Sequence, residues 1–390
     1  MNIVHISPGA CYSEGWSYQE NLLPKYQAKL GHTVTLIVSD RTLVGTNVET
    51  CACTDSMSAD GFRVIRRSFT RFPGGKLTSL LSRLPVSDLL EELKPDLIFA
   101  HGLVSTTIFQ VARYKRRHPA CVVVQDNHED YNIGYDVRKP LGVRWLVVLM
   151  RRWMQRLNAP YVTKVYGVTP WRKQYAQEAY GVDPAKTDVL IMGADDEVID
   201  FAHRAEIRER VRARYGIAPE DFLVVTGGKI DQRKNIHLLM RAVEDLPHVK
   251  LLVFGKAADD FEDVYRGSMN GNVIDIGWIA SKDSYDYFFA ADLVCFPGQH
   301  SVLWEQACAA KTPCLFKEWE GMDHVDNGGN AAFLREVTAE SLREELLSLR
   351  FTERYEKMRQ AAESEKTDIY LYSRIAEKSL ETAVKEGKSK

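Results

Sequence analysis

No stretch of the chain approaches the roughly 20 consecutive apolar residues that a membrane-spanning helix needs, so the protein is expected to be soluble or to lie on a membrane at most. The first residues, MNIVHISPGA, are too short in their apolar part for a signal peptide and read as a first strand. G-x-G-x-x-G is missing as well: SPGACYSEG after that strand has the wrong spacing, which speaks against a nicotinamide or flavin enzyme. The absence of G-x-x-x-x-G-K-[ST] removes the P-loop. Charge of one sign is lacking too. A net charge of −2 gives no global field pointing to nucleic acid, and no nucleic-acid partner is expected. Cysteines number seven, an odd count, and most sit in apolar runs, which favours reduced, buried thiols in a cytosolic protein. Cys51-Ala52-Cys53 lacks the two-residue gap of common metal and redox motifs. There is no short-period repeat, and no low-complexity tract beyond the polar tail VKEGKSK.

What is present is alternation. Strand patterns NIVHIS, TVTLIVS, FRVIRRS, DLIFAH, CVVVQD and KVYGVT alternate with helix patterns such as SYQENLLPKYQAKL, in which Ser17 and Glu20 have capping-box spacing. A second series, FLVVTG, KLLVFG, VIDIGW, DLVCFP and PCLFK, alternates with helices starting near Lys234, Asp259, Ser281, Ser301 and Thr338. At 390 residues two cores are expected, here two α/β Rossmann-like domains over 1–190 and 191–365. Ligands of such sheets bind beyond the carboxyl ends of the strands, so a cleft between the two domains is the natural site.

From 222 the chain reads FLVVTGGKIDQRKNIHLLMRAVEDL. Glycines at a strand end let backbone approach a ligand, and Lys229 and Lys234 beside them suit a diphosphate. A merely solvated loop is the other reading. Cations before a helix oppose its dipole, and an anionic ligand resolves that conflict.

GGKIDQRKNIHLL resembles the loop of retaining glycosyltransferases of the large family 4 type (glycosyl transferases group 1), which have the GT-B fold of two Rossmann-like domains facing across a cleft. In that family a cation after the glycine and a Lys five residues later bind the donor diphosphate, and Lys229 and Lys234 match both; Asn235 replaces a usual glycine. The resemblance continues through Gly15 with KLGHTVTLIV, through KPDLIFAHG and VLIMGAD, and through IGWIASKDSYDYFFAADLVCFPG. This last implies a donor-binding place for Trp278 and Ile279, as the first does for Gly228 and Gly15. The segment from 351 resembles the family's closing helices, which implies that 366–390 returns to the first domain.

In CFPGQHSVLWEQACAAKTPCLF the resemblance places Glu305 on the donor's ribose hydroxyls, with backbone amides of His300, Ser301 and Val302 facing phosphate. A lone helical Glu is ordinarily an exposed acid, but Val302, Leu303, Trp304, Ala307 and Cys308 around it are apolar. The family's second glutamate is absent, since Pro297 stands eight positions earlier, and the loop is shorter than usual. In the first domain QDNHEDYN follows an apolar strand and is either a solvated turn or a polar site. Family relatives place a sugar-contacting histidine here, which implies His128, with Asp126 and Glu129 as further contacts; His101 is either a second such contact or structural.

The resemblance implies front-face transfer in which the leaving phosphate takes the acceptor's proton, with no cofactor and no metal. The substrates would be a nucleotide-diphosphate sugar, UDP-linked by preference, and a glycan or lipid-linked glycan of surface polysaccharide or glycolipid assembly. A hexosyl or N-acetylhexosaminyl group would be moved. Two rivals share the fold: a non-catalytic scaffold that binds a partner, and a non-hydrolysing nucleotide-sugar epimerase. RKPLGVRWLVVLMRRWMQRL (138–157) interleaves Arg138, Lys139, Arg144, Arg151, Arg152 and Arg156 with Leu141, Trp145, Leu146, Trp153 and Leu157. It reads either as a core-packing helix or as an amphipathic one at the inner face of the cytoplasmic membrane, helped by RVIRR and RYKRRH.

Overall fold

Strands that are apolar on both faces need crossover helices on either side, and that is the arrangement found. The computed structural model describes residues 1–9, 11–44, 47–70, 83–132, 134, 136–138 and 143–387. Two compact units result, Met1–Met192 together with Tyr372–Lys390, and Gly193–Leu371. The first begins β1 (Asn2–Ser7), α1 (Gln19–Lys29), β2 (Thr33–Ser39), β3 (Arg41–Val44), β4 (Asn47–Thr50), β5 (Asp55–Met57), β6 (Arg63–Arg67) and α2 (Ser87–Leu93). It continues β7 (Leu97–Ala100), α3 (Ile108–Arg117), β8 (Val122–Asn127), α4 (Val143–Asn158), β9 (Lys164–Gly167), α5 (Pro170–Tyr180) and β10 (Thr187–Val189). The second unit runs α6 (Arg204–Arg214), β11 (Phe222–Ile230), α7 (Ile236–Ala242), β12 (Val249–Ala257), α8 (Glu262–Arg266), β13 (Val273–Gly277) and α9 (Ser284–Ala290). After these come β14 (Leu293–Phe296), α10 (Leu303–Ala309), β15 (Cys314–Lys317), β16 (Ala331–Leu334), α11 (Ala339–Leu349) and α12 (Glu353–Glu363). Last, α13 (Tyr372–Lys385) rejoins the first unit.

The ends expected at 190 and 365 fall at 192 and 371. Ala194 explains the second shift: its N–H donates to the Tyr370 carbonyl at 2.8 Å and it bridges Leu371, which holds 366–371 to the second unit. The capping box expected at Ser17 does not form. α1 begins at Gln19 behind Tyr18, with no side-chain cap, whereas Thr338 and Ser341 do form one at the start of α11.

In the first unit eight strands lie in the order β10-β9-β8-β7-β1-β2-β6-β5, parallel except for β5. The order reverses beside β1, so the carboxyl ends of β1, β7 and β8 gather at a switch point. His101 and His128 follow two of those ends. In the second unit the parallel order is β13-β12-β11-β14-β15-β16, and the reversal falls between β11 and β14. Residues 231–235 and 297–302 follow these two strands. Buried Asp292, just before β14, ties α6 to the sheet: it accepts from Arg208 at 2.6 Å, Arg212 at 3.1 Å and the Leu223 N–H at 2.7 Å.

One local expectation is corrected. Gly227 and Gly228 are not in a loop; β11 continues to Ile230, with Gly228, Lys229 and Ile230 paired to Gly255, Lys256 and Ala257 of β12. The glycines serve close packing instead. A Cβ on Gly227 would meet the Phe254 ring at 2.4 Å, and one on Gly255 would meet the Gly228 carbonyl oxygen at 1.9 Å.

Candidate functional site

After β11, Asp231 caps a 3₁₀ turn by accepting from the Arg233 N–H at 3.0 Å, and its carboxylate also takes the Arg233 guanidinium at 2.8 Å. Asn235 then adopts the left-handed backbone at φ 55°, which explains how it replaces a glycine. Its side-chain amide donates to the Pro297 carbonyl at 3.0 Å. Lys234 donates from Nζ to the Gln299 carbonyl at 2.6 Å. The loops after β11 and β14 are therefore stitched together by the two residues that the sequence pattern singled out.

The two expected cations differ sharply. Lys229 projects from the strand end with a side chain 66% exposed, 3.9 Å from Asp231. Burial pushes Lys234 down to about 8, against a smaller opposing effect of Asp231. A desolvated ammonium held by one carbonyl is poised to gain from an incoming anion.

Glu305 is not an exposed helical acid. It is fully buried on α10, where its Oε1 lies 2.9 Å from Nε2 of His300 and 2.9 Å from Nε2 of His324. Burial opposes ionisation, but the His300 charge and the hydrogen bonds from both imidazoles outweigh it and hold the carboxyl well below the usual range. Glu305 Oε2 and His324 Nδ1 have no hydrogen-bond partner among the described residues. His324 escaped the sequence reading because it lies on a separate 3₁₀ turn, Asp323–Val325, beyond β15. Trp319, also unforeseen, donates from its indole to the Gly298 carbonyl at 3.1 Å. It lines a cavity of about 480 Å³ with Glu318, Glu320, Asp323, Phe333 and Arg335, at the carboxyl ends of β15 and β16.

Of the other second-unit candidates, Gly228 would bring a Cβ within 2.9 Å of Leu303. Ser301 and Val302 precede α10, and the Ser301 carbonyl accepts from the Trp304 N–H at 3.0 Å. Trp278 stands 77% exposed just past β13, with half-buried Ile279 beside it.

In the first unit His101 and Asp126 are buried and His128 is half-buried. Asp126 takes the His101 Nδ1 at 2.7 Å on one oxygen and the Gly102 N–H at 2.7 Å on the other; His128 Nε2 lies 3.3 Å from the first. Burial opposes ionisation of Asp126, yet the two imidazoles hold it well below the usual carboxylate range. His128 is raised in turn, because Asp126 outweighs its burial. Glu129 is placed elsewhere: it pairs with Arg151 of α4 at 3.1 Å and accepts from the Tyr180 hydroxyl. Gly15 occupies an exposed turn at φ 77°.

Among the described residues, His101, Asp126 and His128, and likewise His300, Glu305 and His324, bring ligand-type atoms within 4.8 Å of one another. In the second group a cation would displace the two imidazole-to-carboxylate hydrogen bonds, and His324 Nδ1 lacks the outer partner that metal-bound histidines use.

Lys139 and Leu141 of the basic stretch lie outside the described residues. On α4 Leu146 is 64%, Trp153 59% and Leu157 46% exposed, on one helical stripe, while Val148 and Met154 are buried. The RVIRR cations are spoken for: Arg63 pairs with Asp55, Arg66 donates to the Tyr12 carbonyl and Arg67 pairs with Asp88. Arg113 and Arg116 of RYKRRH instead border a groove with Phe109, Leu157 and Tyr161.

The family model described as a glycosyl transferase 4-like domain matches residues 17–193. A 73-residue segment is 37% identical to D-inositol 3-phosphate glycosyltransferase of Mycobacterium ulcerans (strain Agy99), covering 19% of this chain and 15% of that protein's length. Over its whole length the chain is similar to solved structures. A glycosyltransferase from Rickettsia africae ESF-5 has TM-score 0.69 at 15% identity, covering 100% of this chain and 99% of that one. Anabaena HepE in complex with UDP has TM-score 0.68 at 16% identity, with coverages of 99% and 100%. WaaG, a glycosyltransferase involved in lipopolysaccharide biosynthesis, has TM-score 0.63 at 18% identity, with coverages of 97% and 98%. The matched residues are followed by a second Rossmann-like unit, and the fold of the chain is the GT-B fold expected from the sequence.

Proposed function

We propose that the protein is a retaining glycosyltransferase that moves a hexosyl or N-acetylhexosaminyl group from a nucleotide-diphosphate sugar to a glycan or lipid-linked glycan. The observation that carries this is a pair of cations at the switch point of the second sheet: exposed Lys229 at the end of β11, and desolvated Lys234 in the following loop, which it ties to the loop after β14. Two cations on rigid backbone suit a diphosphate whose negative charge grows as the sugar leaves. In the reaction the bond from the sugar's anomeric carbon to the phosphate oxygen breaks and a bond to the acceptor oxygen forms on the same face. The acceptor's proton passes to the departing phosphate. No protein nucleophile takes part, and the protein's work is positioning and charge stabilisation. Trp278 offers an exposed aromatic surface for a base, and the cavity beside Trp319 has room and polar groups for a sugar.

UDP is favoured as the carrier because the similar HepE binds it. A role in surface polysaccharide or glycolipid assembly follows the analogy with WaaG and the exposed stripe of α4 beside Arg152 and Arg156. The test is a thermal-shift panel of UDP, GDP, ADP and their sugar conjugates against wild type and Lys229→Ala. A ligand of the folded state raises the melting temperature. A shift with one nucleotide that is lost in the variant supports the reading, and no shift with any of them favours a non-catalytic scaffold. Turnover of the sugar nucleotide with no acceptor present would favour the epimerase.

A further inference from the structure

A line of buried polar side chains in the first unit joins α13 to the switch point. Ser379 on α13 donates its hydroxyl proton to the Ala376 carbonyl at 2.6 Å. A carbonyl can only accept, so the Ser379 oxygen is left as an acceptor, and Gln27 Nε2 donates to it at 2.9 Å. That fixes the Gln27 amide with Oε1 towards His5, whose Nε2 lies 2.7 Å away and must carry a proton. His5 Nδ1 lies 3.0 Å from His101 Nε2, and His101 Nδ1 lies 2.7 Å from Asp126 Oδ2.

Two acceptors bound the line, the Gln27 carbonyl oxygen and the Asp126 carboxylate. Two imidazoles between them offer four ring nitrogens, and three must bear protons for every contact to be a hydrogen bond. One imidazole is therefore doubly protonated. Full burial, with the neighbouring His101 charge, pushes His5 down to about 3, whereas His101 touches the carboxylate at 2.7 Å. The positive charge belongs next to the negative one.

We infer that Ser379, Gln27 and His5 act as positioning residues that hold His101 as a buried imidazolium against Asp126, and that this pair presents His128 to substrate through its Nδ1. With no lone pair left on His101, the group His101, Asp126 and His128 is a charge relay and not a cation site. Asp126, kept ionised, faces His128 Nε2 at 3.3 Å, where a nitrogen lone pair would be repelled and an N–H attracted. The ring's buried nitrogen is Nε2, so Nδ1 is the one that meets a sugar or acceptor hydroxyl. The substrate part of the inference rests on the transferase reading above; the protonation part does not.

The experiment is long-range nitrogen–proton NMR of the full chain with labelled histidine, at neutral pH and without substrate, assigned with His5→Gln and His101→Gln. Expected are one ring proton on His5, at Nε2, and two on His101. In Gln27→Leu the need for a proton at His5 Nε2 disappears, so His101 should become neutral, while Gln27→Glu, which keeps an acceptor, should retain its second proton. Two ring protons in total in wild type, or an unchanged His101 in Gln27→Leu, would overturn the inference. Should turnover be in hand, Gln27→Leu is expected to lower kcat about tenfold with the nucleotide-induced thermal shift unaltered. Since that shift is read on the second unit, failure of the relay and failure of the transferase reading remain distinguishable.

Discussion

The Lys234 ammonium donates to the backbone carbonyl of Gln299, and so the cation most suited to a diphosphate is also the tie between two loops. Lys229 has no such second duty. Lys229→Ala should abolish nucleotide-induced stabilisation with an unchanged unfolding midpoint. Lys234→Met should abolish it and also cost about 1–3 kcal/mol, since the Gln299 carbonyl loses a charged donor. Urea unfolding of both variants, with and without nucleotide, checks the contrast.

Proton uptake gives an independent reading of the same lysine. Its ordinary value of 10.5 is lowered to about 8 by burial, so above pH 8 the free protein holds it largely neutral. A phosphate favours the charged form and raises it again. Binding should therefore take up protons between about pH 8 and 10, and little below. Calorimetry in buffers of differing ionisation enthalpy measures this, and Lys234→Met should take up none.

Glu305 makes a stability prediction. Replacing it with Leu leaves two imidazole N–H groups without their shared acceptor and should cost about 3–5 kcal/mol. The sign with pH follows from the depressed carboxyl. Its contribution is present above the ordinary carboxylate range and is lost as pH falls through the folded value. The advantage of wild type over Glu305→Gln should shrink on acidification below pH ~4, and denaturation curves at neutral and acid pH read the difference.

Gly298 admits no side chain. A Cβ there would lie 2.4 Å from the Arg233 carbonyl oxygen and from the Lys234 Cα. Gly298→Ala should destabilise by about 1–3 kcal/mol and weaken nucleotide binding by parting the two loops, both visible in a thermal-shift titration.

The proposed association with a membrane is tested separately. Leu146→Asp with Trp153→Asp should abolish co-sedimentation with vesicles containing phosphatidylglycerol and leave the fold intact, because both side chains are exposed. Arg151→Glu is the wrong probe: it sets like charges together at Glu129 and should unfold the first unit.

Much of the architecture could be read from alternation alone, since apolar strands such as LIFA and LVCF are buried along their whole length. That Lys229 and Lys234 stand at and just beyond the end of β11 could be read from the apolar strand pattern before them. What escaped was set by distance in sequence. His324 reaches Glu305 only through the path of β15, and His5 and Gln27 reach His101 only through the pairing of β1 with β7 and the packing of α1. Glycines 227 and 228 misled because close strand packing and a tight loop call for the same residue.

The bond between Gln27 and Ser379 spans 352 positions. During synthesis, the first unit to emerge must wait with an unfilled face of α1 until the second has been made and residues 372–385 follow it. Its completion thus waits on the second unit, and loss of helix α13 would be felt far back in the sequence, at His5 and through it at the histidines beside Asp126.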